Sequence, residues 1–151
     1  MTPPLPDRDR NSPKPAARPR SLPTLLNCEW RLAIIVDGVA ERPESLDTNA
    51  SDVHDNLVMK AYRLMRDNVE PTYGEQWDRR ARQQFYNSYR ATANKWPAYR
   101  EALAELSSAR ERKRSLVNPM VRLERPRSAY ITALSHFYEE FRTTLNFFRA
   151  R

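Results

Sequence analysis

Residues 57–95 read LVMKAYRLMRDNVEPTYGEQWDRRARQQFYNSYRATANK, and the spacing of their apolar side chains decides the fold. With Ser51 as the N-cap, Val53, Leu57, Ala61 and Leu64 recur at intervals of four, four and three, which lays a single apolar stripe along one helix. Pro71 and Gly74 end it. From about Glu75 a second helix repeats the arrangement with Trp77, Ala81, Phe85, Ser88 or Tyr89, and Thr92. On a helical wheel Tyr62 falls at the edge of the first stripe, Arg63 and Arg66 fall on the opposite face, and Lys60 lies nearer the stripe. On the second helix Arg79 and Arg90 return to one line beside Tyr86, while Phe85 points inward. Guanidinium groups grip carboxylates bidentately, so these two faces suit an acidic helix on another protein.

Outward from this stretch, Pro97 suits the first turn of a third helix with Tyr99, Leu103 and Leu106 facing inward. Its far end, Glu111-Arg112-Lys113-Arg114, is charged all round and reads as a solvated tail or a partner contact. The last segment is the most periodic: Ile131, Leu134, Tyr138, Phe141, Leu145 and Phe148 recur at 3-4-3-4-3 behind Ser128 as a cap. Tyr130, Phe137 and Phe147 lie outside that stripe, so this C-terminal amphipathic helix (127–150) is expected to dock on a neighbouring subunit. Its removal is then expected to leave the preceding module folded.

Upstream, Leu25, Leu26, Trp30 and Leu32-Ala33-Ile34-Ile35-Val36 are strongly apolar before Asp37-Gly38 and Pro43 interrupt the run. Residues 24–50 fit a buried strand, a short helix or a segment lying in a neighbour's groove. Seven of the 12 prolines lie between Pro3 and Pro23 among Arg8, Arg10, Lys14, Arg18 and Arg20, which makes residues 1–23 an extended Pro/Arg-rich arm.

Composition bounds the function. The 151 residues suffice for one domain, and 40% apolar content supports one modest core. Only Gly38 and Gly74 are present, which excludes Gly-rich phosphate loops and most β-turn chemistry. Cys28 with His54 and His136 cannot supply a zinc cage, a disulfide framework or a Cys/His catalytic pair, so the chain reads as non-catalytic with no cofactor of its own. A net charge of +7 favours an acidic partner: nucleic acid, an anionic membrane or an acidic protein. The longest apolar run is far short of the roughly 20 residues that span a bilayer.

Residues 57–117 resemble the leucine-tyrosine-arginine (LYR) motif family of small mitochondrial proteins. In that family the tripeptide opens the first of three helices, a further arginine follows, and the second helix carries an aromatic core residue and an aromatic-arginine pair. Here Tyr62, Arg63, Arg66, Phe85, Tyr89 and Arg90 stand at the matching places. Ala61 stands where the family has leucine, Arg66 comes one residue early, and Tyr89 replaces phenylalanine. The resemblance implies an all-α fold: a three-helix module over 51–117, to which the arm and the C-terminal helix are additions. It further implies binding of the acidic mitochondrial acyl carrier protein, with Tyr62, Arg63, Arg66 and Arg90 facing the carrier. Ala61, Phe85 and Tyr89 would line a tunnel for its acyl-phosphopantetheine, with Ala81 and Ala102 as further small inward residues. Within the family, the long arm and extra aromatic helix favour a permanent accessory subunit of respiratory complex I, peripheral on the matrix side of the inner membrane.

Asp7, Asp9 and the prolines of the arm are unlike an amphipathic presequence, so import without a cleaved one is expected. The alternative is a mitochondrial ribosomal or other RNA-binding protein using Arg79, Arg80, Arg82 and Arg112 to Arg114 against phosphates.

Overall fold

The computed structural model describes residues 19–149, so the extended arm predicted for residues 1–23 lies mostly outside the described residues. Among those described, every regular element is helical: α1 (Leu22–Glu41), α2 (residues 50–73), α3 (Arg79–Glu111) and α4 (Val117–Arg149), with 3-10 turns at Pro43–Leu46 and Gly74–Gln76. The all-α expectation holds.

The undecided segment at 24–50 is mainly a helix. Pro23 sits in the first turn of α1, where its missing N–H costs nothing. Leu22, Leu25, Cys28, Leu32 and Val39 then bury one side against α4 and α2. Asp37-Gly38 does not stop the helix, which runs three residues further.

α2 begins at Ala50 behind Asn49, so Ser51 is not its cap. Its buried residues include Val53, Leu57, Ala61, Met65 and Val69, each four positions after the last, while Leu64 is only half-buried. At about 100° per residue, four residues overshoot one turn by about 40°, so four such steps would swing the stripe some 160° off the core. Two π-helical turns, His54–Val58 and Met65–Val69, absorb the excess because an i→i+5 bond takes more residues round each turn. Pro71 does not end α2, which continues to Tyr73.

α3 starts at Arg79, later than expected, where the Ala81 N–H donates to the Asp78 carboxylate at 3.1 Å. Pro97 opens no new helix; it lies inside α3, and residues 51–117 therefore hold two long helices rather than three. Packing overrides the local propensity here: Thr92, Trp96, Tyr99 and Leu106 on either side of the proline share one buried face. The charged residues after Arg110 form the tight connection to α4, with Lys113 at φ 54. α4 likewise runs through Pro126, so Ser128 caps nothing.

α3 and α4 form a long antiparallel hairpin, and α1 lies along α4 and α2. The aromatic surplus of α4 is spent inside the molecule. Tyr130, Leu134, Phe137, Phe141, Leu145 and Phe148 are all fully buried, whereas Ile131, Tyr138 and Phe147 are partly covered at the margins. A helix wedged between α3 on one side and α1 on the other needs two apolar faces, which is why Tyr130 and Phe137 exceed a single stripe. The expectation that they serve a neighbouring subunit is therefore corrected.

Two polar clusters tie the helices together. Asp47, between α1 and α2, accepts from Arg127 (Nε 3.0 Å, Nη2 2.5 Å) and from the Tyr99 hydroxyl (2.5 Å). Burial and that bond raise the Tyr99 phenol well above its ordinary range. His54, on the first π turn, stacks on Trp96 at 4.8 Å and lies 2.7 Å from the Tyr130 hydroxyl through Nδ1. Burial keeps Tyr130 protonated, and its hydroxyl can donate to a bare Nδ1 or accept from a protonated one, so either neutral tautomer of His54 satisfies the pair.

Burial also lowers His54 from 6.5 to about 4. Because the folded value lies below the unfolded one, the stability it confers is complete above pH 6.5 and declines as pH falls toward 4. At about 1.4 kcal/mol per tenfold change, full protonation would cost roughly 3 kcal/mol. Urea unfolding of the protein and of His54→Asn at pH 7 and pH 4.5 checks this, with the steeper acid loss expected for the unmodified protein.

Candidate helical adaptor surface

Met59–Leu64 is the regular α-helical stretch between the two π turns, and it carries Ala61, Tyr62 and Arg63. The first π turn holds Ala61 fully buried, and Tyr62 consequently leans across to α3. Its ring stacks on Tyr89 with centroids 3.8 Å apart and 2° between planes, and meets Tyr86 edge-on at 6.0 Å. Arg66 lies over the outer face of Tyr62, its guanidinium carbon 5.0 Å from the ring centroid.

Arg63, Arg66 and Arg90 are exposed around this pair of rings. Arg66 forms a bidentate bond with Asp67 (2.6 and 3.0 Å), which holds that carboxyl below its ordinary value and spends part of the arginine's donor capacity. Arg90 donates to Asn87. Arg63 has no ion pair among the described residues and is the least committed cation of the face. Tyr86 donates to Glu70, and burial together with that bond raises its phenol. Arg79 and Arg80 are exposed near the start of α3, and Arg82 reaches the Gly74 carbonyl at 3.4 Å.

The predicted site residues thus gather on one side of the α2–α3 pair, with the tunnel candidates behind the rings. Phe85 is fully buried between Trp77 (5.6 Å), Phe137 (5.4 Å) and Phe141 (6.0 Å). Tyr89 contacts Phe137 at 6.3 Å, so a file of rings, Tyr62, Tyr89, Phe137 and Phe85, leads from the exposed arginines to the core. The space predicted for a tunnel is occupied by side chains; the described surface grooves lie at the α3–α4 turn, around residues 43–51 and beside Pro19 to Leu26. Of the small residues expected to line it, Ala81 is buried and Ala102 half-buried.

Sequence reasoning missed Asp67 and Glu70, the acids that temper the basic face. It also missed the tyrosine stack, for which the edge position of Tyr62 was the only local signal. Among the described residues no three His, Cys, Asp or Glu side chains converge in a way that could hold a metal ion. Cys28 is buried, and desolvation pushes its thiol up, away from the reactive thiolate. No described helix is long and apolar enough to cross a membrane. The chain matches no family model, no curated protein and no solved structure.

Proposed function

We propose that this protein is a non-catalytic adaptor that binds an acidic acyl carrier protein through the α2–α3 face, as an accessory subunit of a mitochondrial respiratory complex, complex I being favoured. The observation that supports this reading is the Tyr62–Tyr89 stack bordered by exposed Arg63, Arg66 and Arg90, with Phe85 sealed behind it. Stacked tyrosines give a rigid apolar platform at low entropic cost, and the arginines around it can pair with carboxylates of an acidic helix. An acyl chain carried by the partner would reach the interior only by parting Tyr62 from Tyr89, along the file of rings toward Phe85.

Arg63→Glu is the discriminating variant, because Arg63 is exposed and unpaired among the described residues. Reversing its charge in a desolvated interface is expected to cost several kcal/mol of binding, with helical content unchanged. Retention of acylated carrier protein on the immobilised chain measures this. Equal retention by the variant and the parent protein would refute the carrier role of this face.

A second reading, phosphate binding by an RNA-associated protein, is supported by the α3–α4 turn, where Arg110, Arg112, Lys113 and Arg114 are exposed within five consecutive residues.

A further inference from the structure

Of the five large apolar side chains that stand exposed among the described residues, three lie within the first turns of α4: Val117 (67%), Met120 (52%) and Val121 (61%). Their i, i+3, i+4 spacing puts them on one face. Val117 is ten residues, about 15 Å of helix, beyond Arg127, through which α4 is clamped to Asp47. Directly before the trio, Arg110, Arg112, Lys113 and Arg114 are exposed and carry no ion pair among the described residues, with Glu111 the one acid between them. The chain reverses tightly here, with Lys113 at φ 54 and the Arg114 N–H donating to the Ala109 carbonyl at 2.9 Å, so the cations and the trio share one end of the hairpin.

We propose that this end docks on an anionic lipid bilayer. Val117, Met120 and Val121 enter the boundary between headgroups and acyl chains, while the four cations meet the lipid phosphates. Long cationic stems reach back to the phosphate level from a tip that dips below it. Apolarity and charge together select this occupant. RNA would satisfy the guanidinium groups and leave the trio in water, and a neutral bilayer would take the trio and leave the cations without counter-charge. An acidic protein would need an apolar socket shaped to the end of a rod, whereas a fluid bilayer moulds to it. Glu44 and Glu124 border the groove below the trio, so the surface changes sign there and contact is confined to the tip. The proposal does not rest on carrier binding: Tyr89 precedes Arg110 by 21 residues, about 30 Å along α3.

The full chain is expected to co-sediment with phosphatidylcholine vesicles containing about 30% phosphatidylglycerol, less so as salt is added, and not with phosphatidylcholine alone. Each cation removed should weaken binding about fivefold, so Arg112→Gln, Lys113→Asn and Arg114→Gln together should weaken it on the order of a hundredfold. Asparagine is chosen at Lys113 because it tolerates a positive φ. Val117→Gln, Met120→Gln and Val121→Gln together keep the charge and are expected to weaken binding at least about tenfold without loss of helix. A polarity-sensitive fluorophore on Val121→Cys, selective because Cys28 is buried, should shift to the blue with anionic vesicles and not with single-stranded polyuridine. Arg63→Glu should bind vesicles as the parent protein does, which separates this surface from the carrier face. A chain that ignores anionic vesicles, one that binds them equally well without the apolar trio, or one that binds polyuridine and not vesicles would each overturn the proposal.

Discussion

Ending the chain at Pro126 is expected to abolish folding altogether. The truncation removes Tyr130, Leu134, Phe137, Phe141, Leu145 and Phe148, every one of them fully buried, together with Arg127, which anchors Asp47. Large-to-small changes at single sites of this kind cost about 2 to 5 kcal/mol each. Six such losses exceed the roughly 5 to 15 kcal/mol by which a whole domain is stable. α3 would be left with Phe85, Thr92, Trp96 and Tyr99 facing water along its length. Circular dichroism of the truncated chain should show reduced helix and no cooperative melt, and a retained cooperative transition would mean that α1 to α3 form a core without α4. A reading of α4 as a detachable docking helix predicts the opposite, which makes this the sharpest single test of the architecture.

Phe85→Ala is expected to cost about 3 to 5 kcal/mol, the range for truncating a fully buried phenylalanine. The ring lies where α3 meets α4 and the loop before it, and its neighbours Trp77, Phe137 and Phe141 are themselves pinned in the core, so little collapse into the cavity is possible. Urea midpoints of the purified protein measure the loss, and an unchanged midpoint would contradict the packing described. Under the proposed function, acylated carrier protein binds only the folded state and is expected to recover part of the loss at saturating concentration. The contrast with Arg63→Glu is useful, because that substitution lowers binding without lowering stability.

Much of this was legible in the sequence. The helices around Val53 to Val69 and Ile131 to Phe148 announce themselves by period, and the burial of Phe85 and exposure of Arg63, Arg66 and Arg90 follow from it. The failures share one physical cause, which is that proline and cap signals are local whereas packing is not. Pro97 and Pro126 mark helix starts by propensity, yet each lies inside a 33-residue helix stabilised along a whole buried face. The stripe read from the sequence turns to Leu64 at a step of three, as a regular helix requires, whereas the core takes Met65 and Val69 at further steps of four, which π turns keep on one side. The Tyr62–Tyr89 stack, the Asp47 clamp and the His54–Tyr130 pair join residues 27, 80 and 76 positions apart, and no periodicity within one helix reports such pairings.

The two internal prolines have a mechanical consequence. Thr92 bonds the Ala133 carbonyl at 3.2 Å and Arg122 pairs with Glu105, so the antiparallel register of the hairpin brings Pro97 and Pro126 within about one turn of the same height. Each proline deprives its helix of the bond to the carbonyl four residues before, Ala93 in α3 and Arg122 in α4. Both rods are thus softened at one waist, beyond which lie the basic turn and the exposed Val117, Met120 and Val121. Bending there would tilt the tip as a lever while the aromatic core on the other side of the waist keeps its packing. Arg127 and Tyr99, joined through Asp47, sit at that height and tie both rods to the connection between α1 and α2.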